Sequence, residues 1–208
     1  MGVAVLTAVD QASTTMVRLN LETRAFHDAA DEGWLALLSP QVTRSDYLRQ
    51  LVTVYGFEGP LEAAFAYTPS LKLFVDLRQR ARAGHIAADL LALGLPANAI
   101  SRASQCLLAP FSGPVEALGW MYVSERATLL HERVRRHLVT ALPDGPDICA
   151  YIGAYEGVVG QRWNELGHAL DKAIRSEARM DDVIASARSG FRTLIDWSRN
   201  TRSYARGA

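Results

Sequence analysis

Apolar residues recur along this chain at steps of three and four. Leu19, Leu21, Phe26, Ala30 and Trp34 mark one side of a helix predicted over 16–36. Met180, Val183, Ile184, Ala187, Phe191, Leu194 and Ile195 do the same for a last helix over 177–199. Trp163, Leu166 and Leu170 supply the stripe of another over 157–172. Helix-start and helix-stop residues divide the segments between. Thr43, with Asp46 three residues on, reads as a short capping box opening a helix over 44–66. Gly56, Gly59 and Pro60 predict a kink or break inside it, because proline removes a backbone donor. The "TPSL" stretch starts a third helix near Ser70, and "HIAADLLALG" forms another that Gly94 and Pro96 stop. After the loop "APFSGP" comes a long continuous helix over 115–142, closed by "PDGPD". No segment alternates as a strand would. The expected fold is all-α, a single helical-bundle domain over 1–208, with residues 1–15 as a flexible N-terminal tail.

Composition agrees with a packed globule. The chain has 208 residues, 49% hydrophobic and 21% charged, enough for one sizeable core. Lys+Arg and Asp+Glu both number 22, so no net positive field favours nucleic acid. No apolar run approaches the ~20 residues that span a bilayer, so no membrane partner is expected. The first 20 residues carry an apolar piece without a preceding basic group, a poor secretion signal. Cys106 and Cys149 are far apart and in no metal or redox spacing. They read as reduced thiols, and the expected compartment is the cytoplasm.

Five segments in order resemble the bacterial biliverdin-producing heme oxygenases, the branch often paired with bacteriophytochromes. They are "LNLETRAFHDAADEG", "DYLRQLVTVYGFEGPLEAAF", "ALGWMYVSERATLLHERVRRHL", "GQRWNELGHALD" and "ARSGFRTLIDW". Together they run from about residue 17 to 199. The resemblance implies one helical domain that holds heme b, both substrate and cofactor, between a proximal and a distal helix. It implies oxidative cleavage to biliverdin, carbon monoxide and iron, with electrons from a donor such as a ferredoxin or a reductase.

On the same resemblance, His27 falls on the proximal iron ligand. An imidazole serves there when its other nitrogen has a partner that fixes the tautomer, and Glu156, Glu58 or a backbone carbonyl are candidates. The family's distal segment usually reads Tyr-Val-Leu-Glu-Gly-Ser-x-Leu-Gly-Gly. Its glycines fall here on Arg126 and Leu130, with His131 beside them. Glycine lets a backbone lie against a flat ligand, so Arg126 and Leu130, four apart on one helix face, subtract that room.

Three readings stay open. Heme binds in a shifted pose, with Arg126 on a propionate or on bound oxygen. His131 ligates iron from the distal side. Or heme is excluded, and a different ligand or none is bound. Turnover is expected to be impaired, and the alternative function is a non-catalytic heme- or pigment-binding sensor or carrier of the same fold. Without a ligand role, Arg126 is an ion-pair residue with a partner such as Glu62, and His131 belongs to a solvated face. Arg24, Arg162 and His168 lie in segments that border heme in the family, without a residue-level match. One Glu-x-x-His pair, Glu165 and His168, with Glu58, Glu62, Glu125 and Glu132 elsewhere, keeps a diiron site as a minor alternative.

Overall fold

A computed structural model describes residues 13–207. Every regular element among them is helical. Residues 1–12 of the expected tail lie outside the described residues, and the rest of it is already ordered. The Ser13 side chain accepts the Met16 N–H and caps α1, Thr14–Thr23. A 3₁₀ turn, Arg24–Phe26, then separates α1 from α2, His27–Ala36. The single helix expected over 16–36 is therefore two helices, and His27 opens the second.

The capping box holds. Thr43 and Asp46 satisfy each other's backbone N–H groups at the start of α3, Arg44–Tyr67. The expected break at Pro60 does not occur, because the fold uses the carbonyl that proline leaves free. Residue 60 would donate to the carbonyl four residues back, which is Gly56. That carbonyl instead accepts the Cys106 N–H at 2.7 Å. Gly56 also admits the incoming loop, since a Cβ there would stand 2.4 Å from the Ser104 carbonyl oxygen and 2.5 Å from the Trp197 ring. No third helix forms at Ser70. Two 3₁₀ turns, Leu71–Leu73 and Leu77–Gln79, carry the chain to α4, Ala83–Ala92, which ends at Gly94 with φ +89°.

After α5, Ala97–Ile100, comes the segment expected to be one helix over 115–142. It is two: α6, Pro114–Arg126, and α7, Thr128–Ala141, joined at Ala127. No glycine or proline causes the interruption. The Thr128 hydroxyl takes the Glu125 carbonyl at 2.6 Å, and the Leu130 N–H turns to the Ala127 carbonyl three residues back. The chain continues through a 3₁₀ turn, Gly145–Ile148, into α8, Ala150–Gly153, then α9, Val159–Ala173, and α10, Glu177–Gly207.

The helices enclose two apolar cores. One joins α1, the second half of α3, α6, α9 and α10 through residues such as Leu19, Phe57, Tyr122, Leu166 and Phe191. The other joins α2, the first half of α3, α4, α7 and α8 through Trp34, Leu51, Ile86, Val134 and Tyr151. The most extensive helix pairing is α6 with α10. Ala127 sits where α6, in the first core, hands over to α7, in the second.

Candidate functional site

Between the two cores lies a small cavity of ≈ 40 Å³. Phe57, Val123 and Phe191 line it from one core, Trp34 and Tyr151 from the other. Its polar lining includes Asp31 on α2, Gln50, Thr53 and Glu58 on α3, Ser124 and Arg126 on α6, and Ser198 on α10.

His27 lies at the start of α2, buried to 8% exposure, with its ring tilted against Phe191 at 5.5 Å between centroids. Its partner is none of the groups the sequence offered. Nε2 sits 3.1 Å from the Thr23 hydroxyl, which already gives its one proton to the Leu19 carbonyl at 2.6 Å. The imidazole is therefore the donor, through Nε2–H, and Nδ1 is its acceptor nitrogen. Burial first, then the nearby Arg126, pushes the His27 pKa below its ordinary value, while Asp31 and Asp28 oppose the shift. A neutral imidazole is the form that binds metal. Binding through Nε2 would cost the Thr23 hydrogen bond.

Arg126 reaches across to α2. Its guanidinium pairs with Asp31, not Glu62, and the two side chains are only 15% and 13% exposed. The pair fastens α6 to α2 over the cavity. Asp31 stands four residues after His27 on the same helix face, a signal the sequence held and the resemblance overshadowed. Glu62 instead accepts the backbone N–H groups of Arg82 and Ala83.

The other two sequence candidates lie elsewhere. Leu130 packs half-buried against the second core and is not among the cavity's lining residues. The jog at Ala127 turns it off the face that Arg126 presents. His131 is buried, not solvated, at 3% exposure. It lies between the Trp34 and Tyr151 rings, at 4.9 and 5.0 Å, and those rings stand between it and the cavity. Burial, then Arg82, holds its pKa well below the ordinary value. The structure thus brings Asp31 and Arg126 together on the cavity, places His27 one turn before Asp31 but outside the cavity's lining, and leaves Leu130 and His131 elsewhere.

A buried charged cluster adjoins the cavity. Arg82, 2% exposed, donates to the Ser124 hydroxyl at 2.7 Å and faces Glu58 at 3.4 Å. Its guanidinium lies 5.1 Å over the Tyr155 ring. Ser124 in turn donates to Glu58 at 2.8 Å. Burial raises the Glu58 pKa, against the pull of Arg82 and Ser124. Behind it, Arg80 stands 3.0 Å from Glu125. Sequence reading missed Arg80 and Arg82, because "LRQRARAG" shows no apolar stripe that would send either inward.

No set of three metal-ligating side chains gathers among the described residues, and His168 is exposed, so the diiron ligand set is not assembled. Burial raises the Cys106 thiol, and pushes Cys149 up to about 11, the opposite of an activated nucleophile. Arg24 is exposed, and Arg162 is bound to Gln79 and Glu165.

With 90% of this chain and 92% of the other aligned, the fold matches the NO- and CO-bound heme oxygenase of Neisseria meningitidis at a TM-score of 0.73 and 20% identity. The fold is that of heme oxygenase. In sequence, 112 residues are 32% identical to the heme oxygenase PigA of Pseudomonas aeruginosa. That match spans 54% of this chain and 54% of PigA, about half the length of each. No protein-family model matches the chain. No described helix is long and apolar enough to cross a membrane.

Proposed function

We propose that this protein takes heme between α2 and α6, with His27 as the proximal ligand, and cleaves it to biliverdin, carbon monoxide and iron. One observation carries the reading: in a fold shared with a heme oxygenase, a buried neutral imidazole opens the helix that faces α6. The half-length likeness to PigA supports it. Electrons would come from a ferredoxin or a reductase. Arg126 and Leu130 would stand where the bacteriophytochrome-associated branch keeps glycines, and the two are now unequal. Arg126 is the side chain that obstructs, and Leu130 is not.

The neutral imidazole has the chemistry for this role, but it stands outside the cavity's lining, and the space does not fit a macrocycle as the helices stand. A cavity of ≈ 40 Å³ has room for water, whereas pockets for organic ligands occupy about 300–1,000 Å³. Admission of heme requires α2 and α6 to part, which breaks the Arg126–Asp31 pair. Turnover is accordingly expected to be slow. That closure also favours a second reading, a heme or pigment binder without catalysis.

Hemin titration decides the first half. The native chain should develop a Soret band that His27→Ala loses and added imidazole partly restores. An unchanged band in His27→Ala would refute His27 as the ligand. Reductant and oxygen then separate the two readings. Accumulating biliverdin absorption marks the oxygenase, and a static spectrum marks the binder.

A further inference from the structure

The room that a macrocycle lacks lies beside the first cavity. A second cavity of ≈ 600 Å³ opens to solvent between α2, the first half of α3 and α10. That volume is within the range of sites for organic ligands, about 300–1,000 Å³. Gly33, Ala36 and Leu37 line it from α2, Leu48 and Val52 from α3, and Thr201 from α10. Two residues line both cavities: Gln50 and Thr53, one helical turn apart on α3. They form the partition between the small space and the large open one.

The two are held differently. Thr53 belongs to the frame. Its hydroxyl donates to the Arg49 carbonyl at 3.0 Å, and its own carbonyl accepts the Trp197 indole N–H at 2.8 Å. Gln50 is half-buried, and no hydrogen bond to a described residue holds its amide. The amide rests on the backbone of α2 at Gly33. A Cβ there would run into Oε1, Cδ and Nε2 together, with Cδ at 2.9 Å. The seat exists because residue 33 has no side chain. Gly33 stands inside α2 and makes no left-handed turn, so it weakens the helix relative to alanine without serving the backbone path. What it provides is the seat for Gln50.

A third cavity, of ≈ 440 Å³ between the second half of α3 and α6, also adjoins the first, through Glu58 and Ser124. That wall is locked. Ser124 donates to Glu58 at 2.8 Å, and the buried Arg82 guanidinium reaches both. Opening it would leave buried charges without their partners. Swinging Gln50 outward breaks no hydrogen bond to a described residue. Of the two ways into the first cavity, the one past Gln50 opens more easily.

We propose that Gln50 is the gate of the heme site: seated on Gly33 it closes the first cavity, and swung into solvent it joins the first and second cavities into one mouth, through which a flat macrocycle enters edge-first between α2 and α3. The ligand class rests on the heme reading. The gate and the Arg126–Asp31 pair divide the work. The pair governs how far α2 and α6 part, and so the affinity. The gate governs how fast the edge of the gap is reached. A gate that opens for entry opens for exit too, so it changes association and dissociation together.

Stopped-flow binding of hemin and of protoporphyrin IX to the full chain tests this. Protoporphyrin has the shape without the iron, so it reports access whether or not His27 is a ligand. Gln50→Ala should speed association and dissociation of both by about fivefold or more and leave Kd within about twofold. Gly33→Ala should do the same from the other helix, because its methyl evicts only the far end of a flexible side chain. Its melting temperature should stay at or above the native value. The double variant should be no faster than either single, since the same seat is removed. Ala36→Trp, at an exposed position in the second cavity, should slow association by about fivefold or more, and Ala66→Trp, exposed in the third, should leave it unchanged. Native rates in both Gln50→Ala and Gly33→Ala, slowing by Ala66→Trp but not by Ala36→Trp, or no binding of either macrocycle would each overturn the proposal. A His27→Ala chain that keeps the native Soret band, while the Gln50 and Gly33 effects persist, sinks His27 as the ligand and leaves the gate standing.

Discussion

Arg126 and Asp31 join the two helices that a flat ligand would have to separate, and their removal should have opposite effects on stability and on hemin binding. The side chains are 15% and 13% exposed, so the pair is neither a surface bridge nor a fully dry one. Surface pairs contribute about 0–1 kcal/mol, and breaking a buried pair from one side costs about 3–5 kcal/mol. Arg126→Ala or Asp31→Ala alone should therefore cost about 1–3 kcal/mol. The double variant leaves no bare charge, and should be less destabilised than the sum of the singles by about 1 kcal/mol or more. Urea unfolding of the four proteins measures this coupling. If hemin must break the pair to enter, the energy spent on breaking it is returned in the double variant, and hemin should bind about tenfold more tightly. Leu130→Ala is the control. It removes packing from the second core without touching the first cavity, so it should lower stability and leave hemin affinity where it was. Strictly additive costs for Arg126→Ala and Asp31→Ala would show that the pair is not energetically coupled. A double variant that folds, keeps the His27-dependent Soret band and yet binds hemin no more tightly would show that the pair does not gate the pocket.

His131 predicts a pH dependence. Its pKa is held well below the ordinary value of about 6.5, so the unfolded chain binds a proton there that the folded chain refuses. Stability should rise with pH up to about 6.5 and level off above it. His131→Phe keeps the ring between Trp34 and Tyr151, and should reduce that slope by about 1.4 kcal/mol per pH unit below 6.5, read from urea midpoints in buffers from acid to neutral. An unaltered slope would mean that His131 titrates normally in the fold. Gly56→Ala should lower stability by about 1–3 kcal/mol, because the new methyl meets the Ser104 carbonyl and the Trp197 ring before any flexible group can yield. Melting by circular dichroism checks it, and a variant as stable as the native chain would show that the 104–106 loop shifts freely.

Local chemistry made part of this molecule legible and left the rest hidden, and the dividing line is sequence distance. Thr43 and Asp46 are three apart, and their capping box was readable because both partners lie in one turn. The stop at Gly94 was readable for the same reason. The interruption at Ala127 was not, since Arg-Ala-Thr contains no residue that breaks a helix unaided. It rests on a threonine hydroxyl taking a carbonyl at the passage between two cores, a boundary that no window of sequence contains. Pro60 erred in the other direction: the rule that proline breaks a helix assumes a carbonyl left bare, and Cys106, far along the chain, supplies the missing donor.

The site obeys the same division. His27 was singled out through a segment resemblance, and its neighbour Asp31 was within reach of a simple count along the helix. The partner of Asp31 is 95 residues away, so the latch itself was invisible. Arg82 is the extreme case. An arginine is almost never fully buried unless paired, and its partners Glu58 and Ser124 lie 24 and 42 residues off on two different helices. Such a residue can be placed only after the helices are. Leu130 shows the converse risk. Its spacing from Arg126 put both on one face of an ideal helix, and a single jog between them sent one toward the cavity and the other into the second core. Substituting glycine at both positions, as the spacing alone would advise, would therefore mix a change that opens the pocket with one that only loosens packing. The two must be made separately for either to be interpretable.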